Sequence, residues 1–312
     1  MKRRDFLKTS LAGAAGFSLL SLPTEAWAAN AINLTILHTN DTHSRIDPFP
    51  NDGRTNAGLG GMARRATLIS QIRSQNANVL LLDSGDIWQG TPYFNFFGGE
   101  LEYKLMTQMR YDAATFGNHD FDNGLAGLQR QLPHASFPFL SANYDFSQTI
   151  LRDQFKPYKL FEKQGIKVGV FGLGIELAGL VDKKNYAQTI YLDPLARAAD
   201  MVKQLRQVEN CHLVICLSHL GLKFTSEPNK VNDMKLAQQV PGIDLILGGH
   251  THTFLEEPVR LKQPNGSETL INQVGKDGLF LGRVDFVFNR KSKEKTRVAA
   301  AVVPVAATVK TS

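Results

Sequence analysis

The chain is poor in cysteine: Cys211 and Cys216 are the only two among 312 residues. Both lie in CHLVICLSH, where five steps of extended chain would separate them by roughly 17 Å. A disulfide needs Cα atoms within about 7 Å, so a bridge between them is excluded and both read as buried thiols. A thiolate metal site is excluded with it. No apolar run reaches the roughly 20 residues of a membrane span, so no stable membrane anchor is expected. A strong excess of one charge is missing too. Lys and Arg number 35 against 29 Asp and Glu, too mild a surplus to mark a nucleic-acid polymer as partner. Internal repeats, low-complexity tracts and long linkers are also lacking, which excludes solenoids and flexible arrays.

What is present starts with MKRRDFLKTSLAGAAGFSLLSLPTEAWAAN. A basic start, an apolar stretch from Leu11 to Leu22 and the small-x-small pattern Ala26-Trp27-Ala28 make residues 1–28 an export peptide cut after Ala28. Arg3-Arg4 followed by Asp5-Phe6-Leu7-Lys8 resembles a twin-arginine signal, which implies a periplasmic, cell-surface or extracellular product. Residues 29–312 then retain 31 basic and 27 acidic residues, a surplus of four. Such a surplus suits small phosphorylated molecules.

Five apolar runs each end in a polar cluster: INLTIL in HTNDTH, NVLLL in DSGD, DAATF in GNHD, CHLVICL in SHLG, and GIDLIL in GGHTH. Short Val/Ile/Leu-rich runs bounded by Gly, Asn and Asp read as buried strands. Helical patterns over Met62–Ser74, Leu101–Met109, Pro194–Val208 and Val231–Gln239 separate several of them, and KVGVFGLG from Lys167 is a further strand. Alternation of this kind predicts an α/β domain with its site at the carboxyl ends of strands. Towards the end, Thr269–Asn272, Gly282–Phe288 and Val298–Val305 read as strands, with RKSKEKT as a solvated hairpin tip.

Six of eight histidines sit in those polar clusters, and five of them, His43, His119, His219, His250 and His252, lie beyond the strand runs. Asp41 and His43 are two apart, as are His250 and His252, and an extended backbone would point each pair one way. Asp86, Asn118, His119 and His219 end the other runs. Carboxylates, imidazoles and an amide without sulfur suit Zn, Mn or Fe in a mixed nitrogen and oxygen shell. Asp41, His43, Asp86, Asn118, His219, His250 and His252 suffice for two ions if Asp86 bridges them. Glycines 85, 117, 248 and 249 would permit close backbone approach.

DTH, GD with a downstream QGTP, GNHDFD, SHLG and GGHTH together resemble the calcineurin-like metallophosphoesterases. More narrowly, ILHTNDTH, GDIWQGTPYFNFFGGE and GNHDFDNG resemble the catalytic domain of 5′-nucleotidases, over residues 32 to about 305. The resemblance implies a four-layer α/β/β/α sandwich of two mixed β-sheets flanked by helices. It implies that Asp41, His43, Asp86 and His252 hold one divalent ion, and that Asp86, Asn118, His219 and His250 hold the other. Water ionised between the two would attack phosphorus in line, with Asn118 helping to neutralise the phosphoryl oxygens. His119 would face the substrate, stabilising the transition state or protonating the leaving group. Asp122 would set its tautomer, or else cap a helix starting near Asn123.

Asp120, where many relatives carry glutamate, reads as a turn residue or a support for the metal ligands. His38 reads as hydrogen-bonded in the core, His134 and His212 as structural or superficial. Trp88, Phe94, Phe96 and Phe97 read as aromatic packing under the loop after Asp86, with the substrate mouth as their other role. Larger 5′-nucleotidases add a C-terminal nucleoside-binding domain, whose absence is expected here, so a separate chain is a possible partner. The expected reaction is hydrolysis of phosphomonoesters, nucleotides among them. Alternatives are a 2′,3′-cyclic nucleotide phosphodiesterase, a nucleotide-sugar hydrolase, a sulfate thiohydrolase, or an exported metal-binding subunit with little turnover.

Overall fold

Strand β1 (Ala31–Thr39) is buried on both sides, with Ile32, Leu34 and Ile36 in one apolar cluster and Leu37 in another. A strand so placed needs a layer above and below it, and the chain supplies both. The computed structural model describes residues 30–263 and 266–307. The expected export peptide, residues 1–28, lies outside the described residues.

After β1 come α1 (Met62–Gln75), β2 (Val79–Asp83), α2 (Pro92–Phe97), α3 (Glu100–Gln108), β3 (Ala113–Ala114) and α4 (Gly124–Gln131). The middle of the chain forms β4 (Tyr144–Asp145), β5 (Tyr158–Lys163), β6 (Ile166–Leu173), α5 (Lys183–Tyr186), β7 (Ile190–Tyr191) and α6 (Pro194–Lys203). The last stretch holds β8 (Leu213–Ser218), α7 (Asp233–Gln239), β9 (Leu245–Leu247), β10 (Val259–Lys262), β11 (Glu268–Asn272), β12 (Phe280–Asn289) and β13 (Lys295–Pro304).

These strands form a five-stranded sheet ordered β13-β12-β1-β2-β3, a six-stranded sheet ordered β10-β11-β9-β8-β6-β5 and, apart from the two layers, an antiparallel β4-β7 pair. Both large sheets are mixed. β1, β2 and β3 run parallel while β12 is antiparallel to β1; β6, β8, β9 and β11 run parallel while β5 and β10 are antiparallel edges. Leu34, Ile36, Leu80 and Leu82 of one sheet pack with Val168, Leu213, Ile215 and Leu247 of the other. Outside the first sheet, Leu37 and Leu81 meet Ile69 and Ile72 of α1 and Met106 of α3. Outside the second, Val214 and Cys216 meet Met201 of α6 and Leu236 of α7. Period-two alternation along β8 thus sends Leu213, Ile215 and Leu217 between the sheets and Val214 and Cys216 under the helices. The result is the expected four-layer α/β/β/α sandwich.

The two cysteines are free and buried. The predicted helix over Pro194–Val208 is α-helical only to Lys203 and widens into a π turn over Gln204–Val208. The aromatic residues after Asp86 divide. Trp88 and Phe94 are buried and stack within the layer, Trp88 lying 5.1 Å from the Tyr103 ring. Phe96 is 83% exposed and Phe97 49%, which corrects the expectation that all four pack under the loop. α2 is a single short helix, and only the side of it bearing Phe94 meets the core.

Candidate metal centre

The parallel strands of both sheets run their carboxyl ends towards one edge, and the ends are cross-tied there. Ser84 donates its hydroxyl to the Leu247 carbonyl at 2.7 Å, joining β2 to β9. The Asp41 N–H donates to the Gly85 carbonyl at 2.9 Å, and the His250 N–H to Asp41 Oδ1 at 3.0 Å. Loops separated by more than two hundred residues in sequence therefore share one rim.

Ligand-type atoms from Asp41, His43, Asp86 and His252 lie within 4.8 Å of one another, and so do those from Asp86, His219 and His250. Asp86 belongs to both groups. Asn118 joins the second, with its Oδ1 2.9 Å from His250 Nδ1. All seven residues singled out as ligands are thus brought together. His119 stands beside them, its ring 5.4 Å from that of His43. Its Nδ1 lies 2.8 Å from Asp122 Oδ2, while the cap position of α4 is Asn123, without a side-chain cap bond. Between the two roles expected of Asp122, the geometry favours the partner of His119.

One expectation is corrected. Asp41 and His43 do not share an extended backbone, nor do His250 and His252. Their φ angles are 50°, 48°, 68° and 51°, and that of Asp86 is 53°. His250 and His252 fall in different groups rather than facing one way. Left-handed backbone at a non-glycine residue costs about 1–3 kcal/mol and persists only where neighbours enforce it. Here the N–H of His43 donates to the Asp86 carbonyl at 3.1 Å and that of Asp277 to the Asp41 carbonyl at 2.8 Å. Gly117 shows why glycine stands in the rim. A Cβ there would run into the Asp86 carboxylate and come within 2.6 Å of the His219 ring.

The donor set fits a cation. The His219 Nδ1 lies 2.7 Å from the Ser84 carbonyl, which fixes the proton of the neutral ring on Nδ1 and leaves its Nε2 as a lone pair. That Nε2 is fully buried without a hydrogen-bond partner, 3.1 Å from Asp86 Oδ2. His43 sets its Nδ1 3.3 Å from the Trp88 carbonyl, and its Nε2 faces His252 Nε2 at 3.0 Å. Asp41 and Asp86 are buried, and none of the described Lys or Arg ion pairs reaches either. Uncompensated buried carboxylates are costly unless paired or metal-bound.

The electrostatics carry the same demand. Burial pulls the His219 imidazole down, but the Asp86 and Asp41 carboxylates outweigh it and hold the ring up to about 10. Burial alone would raise Asp86, yet His219 and the neighbouring imidazoles hold its carboxyl well below the usual range. Burial, then the charge of His219, pushes His250 down to about 4, and burial lowers His43. His119 moves the other way, raised first by its bond to Asp122. A proton on His219 is the nearest substitute for positive charge that the residues themselves offer.

Two supports escaped the sequence reading. Asn40 donates Nδ2–H to Asp41 Oδ2 at 2.6 Å and to the Gly275 carbonyl at 2.7 Å, while its Oδ1 accepts from Val274 N–H. Gln273 donates to the Gly249 carbonyl and accepts from the Thr253 N–H at 2.7 Å, bracing the His250–His252 loop. Gln273 follows an apolar run, INQ after TL, the same signal that marked the other strand ends.

The described residues contain no helix long and apolar enough to cross a membrane. Comparison with known proteins gives the calcineurin-like phosphoesterase family over residues 34–254. A 5′-nucleotidase of Vibrio cholerae is 35% identical, over 98% of this chain and 58% of that protein. The snake venom 5′-nucleotidase of Crotalus adamanteus is 35% identical over 85% of this chain and 47% of its own length. The crystal structure of a 5′-nucleotidase precursor from Thermus thermophilus superposes with a TM-score of 0.80 at 31% identity, covering 89% of this chain and 55% of that one. The chain thus spans about half the length of these three proteins. From residues 34 to 254, and with the ligand-type side chains gathered at one rim, this chain belongs to the calcineurin-like phosphoesterase family.

Proposed function

We propose that the chain is the hydrolytic unit of a dinuclear-metal phosphomonoesterase of the 5′-nucleotidase type, with nucleoside monophosphates as substrates. One observation carries the reading. The His119–Asp122 pair stands beside a converged, buried donor set that only cations would neutralise.

Asp41, His43, Asp86 and His252 would hold one ion, and Asp86, Asn118, His219 and His250 the other. Zn or Mn suits these donors best, and Fe is compatible. When bound, two such ions supply Lewis acidity at phosphorus and acidify water to a nucleophile at neutral pH. The residues do the rest. Asp86 is oriented by the His119 N–H, which donates to its Oδ1 at 2.8 Å. His119 gives its Nδ1–H to Asp122 and keeps Nε2 for the substrate, stabilising the phosphoryl oxygens or handing a proton to the departing ribose oxygen. Its side chain remains 34% exposed while His219 is fully buried, so His119 faces the side from which substrate enters. Asn118 places its amide beside the same phosphoryl group.

In this reading a nucleoside-binding surface is supplied from outside the described residues. Residues 1–28 direct twin-arginine export to the periplasm or cell surface. The test is a substrate panel on the Zn- or Mn-reconstituted protein: AMP, an aryl phosphate, a 2′,3′-cyclic nucleotide, a nucleotide sugar and a thiosulfate ester. Turnover of AMP and the aryl phosphate supports the proposal. Inactivity towards both, with any neighbouring-gene partner present, refutes it, and preference for another member of the panel reassigns the bond.

A further inference from the structure

Asp120 is fully buried, and its carboxylate meets no cation within ion-pair distance among the described residues. It accepts four backbone N–H bonds instead. Oδ2 takes the N–H of Asp86 at 3.0 Å and of Gly117 at 2.8 Å; Oδ1 takes those of Ile87 at 3.0 Å and Trp88 at 3.3 Å. A carboxylate has about four acceptor sites, and here all are filled by donors. Three of the four belong to the consecutive residues 86, 87 and 88. The fourth belongs to Gly117, at the start of the loop that carries Asn118 and His119.

The consequence lies in where those donors sit. Asp86 holds a left-handed backbone at φ 53°, a conformation uncommon outside glycine, though aspartate takes it more readily than most residues. Its own N–H is one of the four. The loop after β2 and the loop after β3 are thereby clamped to one carboxylate, and these loops carry the shared ligand Asp86 and the ligand Asn118. The clamp also reaches the first ion's residues, since Trp88 offers its carbonyl to His43 Nδ1 at 3.3 Å.

We propose that Asp120 is a positioning residue for the dinuclear centre, fixing the distance between the Asp86 and Asn118 loops through four backbone hydrogen bonds. The inference rests on the metal-centre reading above but not on the substrate. It assigns Asp120 to the site rather than to the stability of the fold. The side chains of Ile87 and Trp88 belong to the apolar cluster outside the first sheet, but the four N–H groups that Asp120 binds all lie in the two rim loops, after β2 and after β3. An amide at position 120 would turn an N–H₂ group against two backbone N–H donors and loosen one side of the clamp. Serine would leave one oxygen where two stood.

The experiment uses Mn(II) alone on the metal-stripped full chain, comparing wild type, Asp120→Asn and Asp120→Ser. Titration calorimetry reads affinity and stoichiometry, electron paramagnetic resonance reads exchange coupling between two Mn(II), and circular dichroism reads the fold without metal. The expected result is an unchanged metal-free fold, roughly 10–100-fold weaker binding of the pair, and loss of the coupled signal. Hydrolysis is not the readout, so failure of the substrate assignment leaves this test intact. A folded variant that binds two coupled Mn(II) with wild-type affinity overturns the proposal. Failure of both variants to fold overturns it as well, because Asp120 would then serve the fold.

Discussion

The Nε2 atoms of His43 and His252 face each other across 3.0 Å. Nδ1 of His43 is turned to the Trp88 carbonyl, so the Nε2 of that ring is a lone pair. His252 Nε2 also stands 3.4 Å from Asp41 Oδ1. Without a cation, an N–H on His252 Nε2 can donate to the His43 lone pair; a cation between the rings instead takes a lone pair from each imidazole together with the Asp41 carboxylate.

From this comes the first prediction. Replacing His43 with Ala removes one donor of the first group and none of the second, so the protein should fall from two divalent ions to one after dialysis. Elemental analysis checks the stoichiometry, and hydrolysis of an aryl phosphate should drop by at least about a hundredfold, in the range of losing a major electrostatic contributor. Two retained ions at unchanged affinity would remove His43 from the ligand set. Chelation of wild type should lower the melting temperature, since ions that bind only the folded state stabilise it.

Replacing His119 with Asn should leave both ions bound and cut turnover by about 10²–10⁴, the usual worth of a positioned acid. The loss should be larger for AMP than for p-nitrophenyl phosphate. A ribose alkoxide needs a proton on departure, whereas nitrophenolate leaves unaided. Equal losses on the two substrates would move His119 from leaving-group protonation to transition-state charge stabilisation, and unchanged rates would remove it from catalysis.

Asp122→Asn tests the orienting carboxylate. The bond from Asp122 is the largest cause of the raised His119 pKa. Its loss lets the imidazolium give up its proton at lower pH, so the alkaline limb of the activity profile should move down. Below that limb the variant should retain more activity than His119→Asn, because the ring itself remains. A limb that stays in place would mean that another group titrates there.

Much of this site was legible because its ligands lie at strand ends, where an apolar run stops and a polar cluster begins. INLTIL became β1 and placed Asp41 beyond its end; CHLVICL became β8 and placed His219 one residue past Ser218. The backbone within those clusters was not legible. Extended geometry suggested that residues two apart face one way, but Asp41, His43, His250 and His252 take left-handed φ under constraints from loops far away in sequence. Asn40 and Gln273 supply part of those constraints, and Asp120 holds the neighbouring Asp86 loop, all through hydrogen bonds to distant backbone. Nothing in local pattern distinguishes such an Asn or Gln from turn material. The exposure of Phe96 was equally hidden, since helix α2 spans only Pro92–Phe97 and shows too little periodicity to reveal its outer face.

His38 gives the last prediction, on stability. It lies in β1, fully buried, and Asn272 donates Nδ2–H to its Nε2 at 3.0 Å. Burial lowers its pKa to about 3, against about 6.5 in an unfolded chain. The folded form therefore holds the ring neutral while the unfolded form takes up a proton below pH 6.5. Stability from this group is complete above that pH and declines as the pH falls towards 3, by about 1.4 kcal/mol per unit. His38→Gln keeps an acceptor for Asn272 but cannot be protonated, so its unfolding free energy should lack this slope. Urea unfolding of both metal-stripped proteins from pH 7 to pH 4 measures the difference, which should shift steadily in favour of the variant as acid is added. Parallel curves would show that His38 accepts its proton in the fold, and that the space between the sheets is wetter than its packing implies.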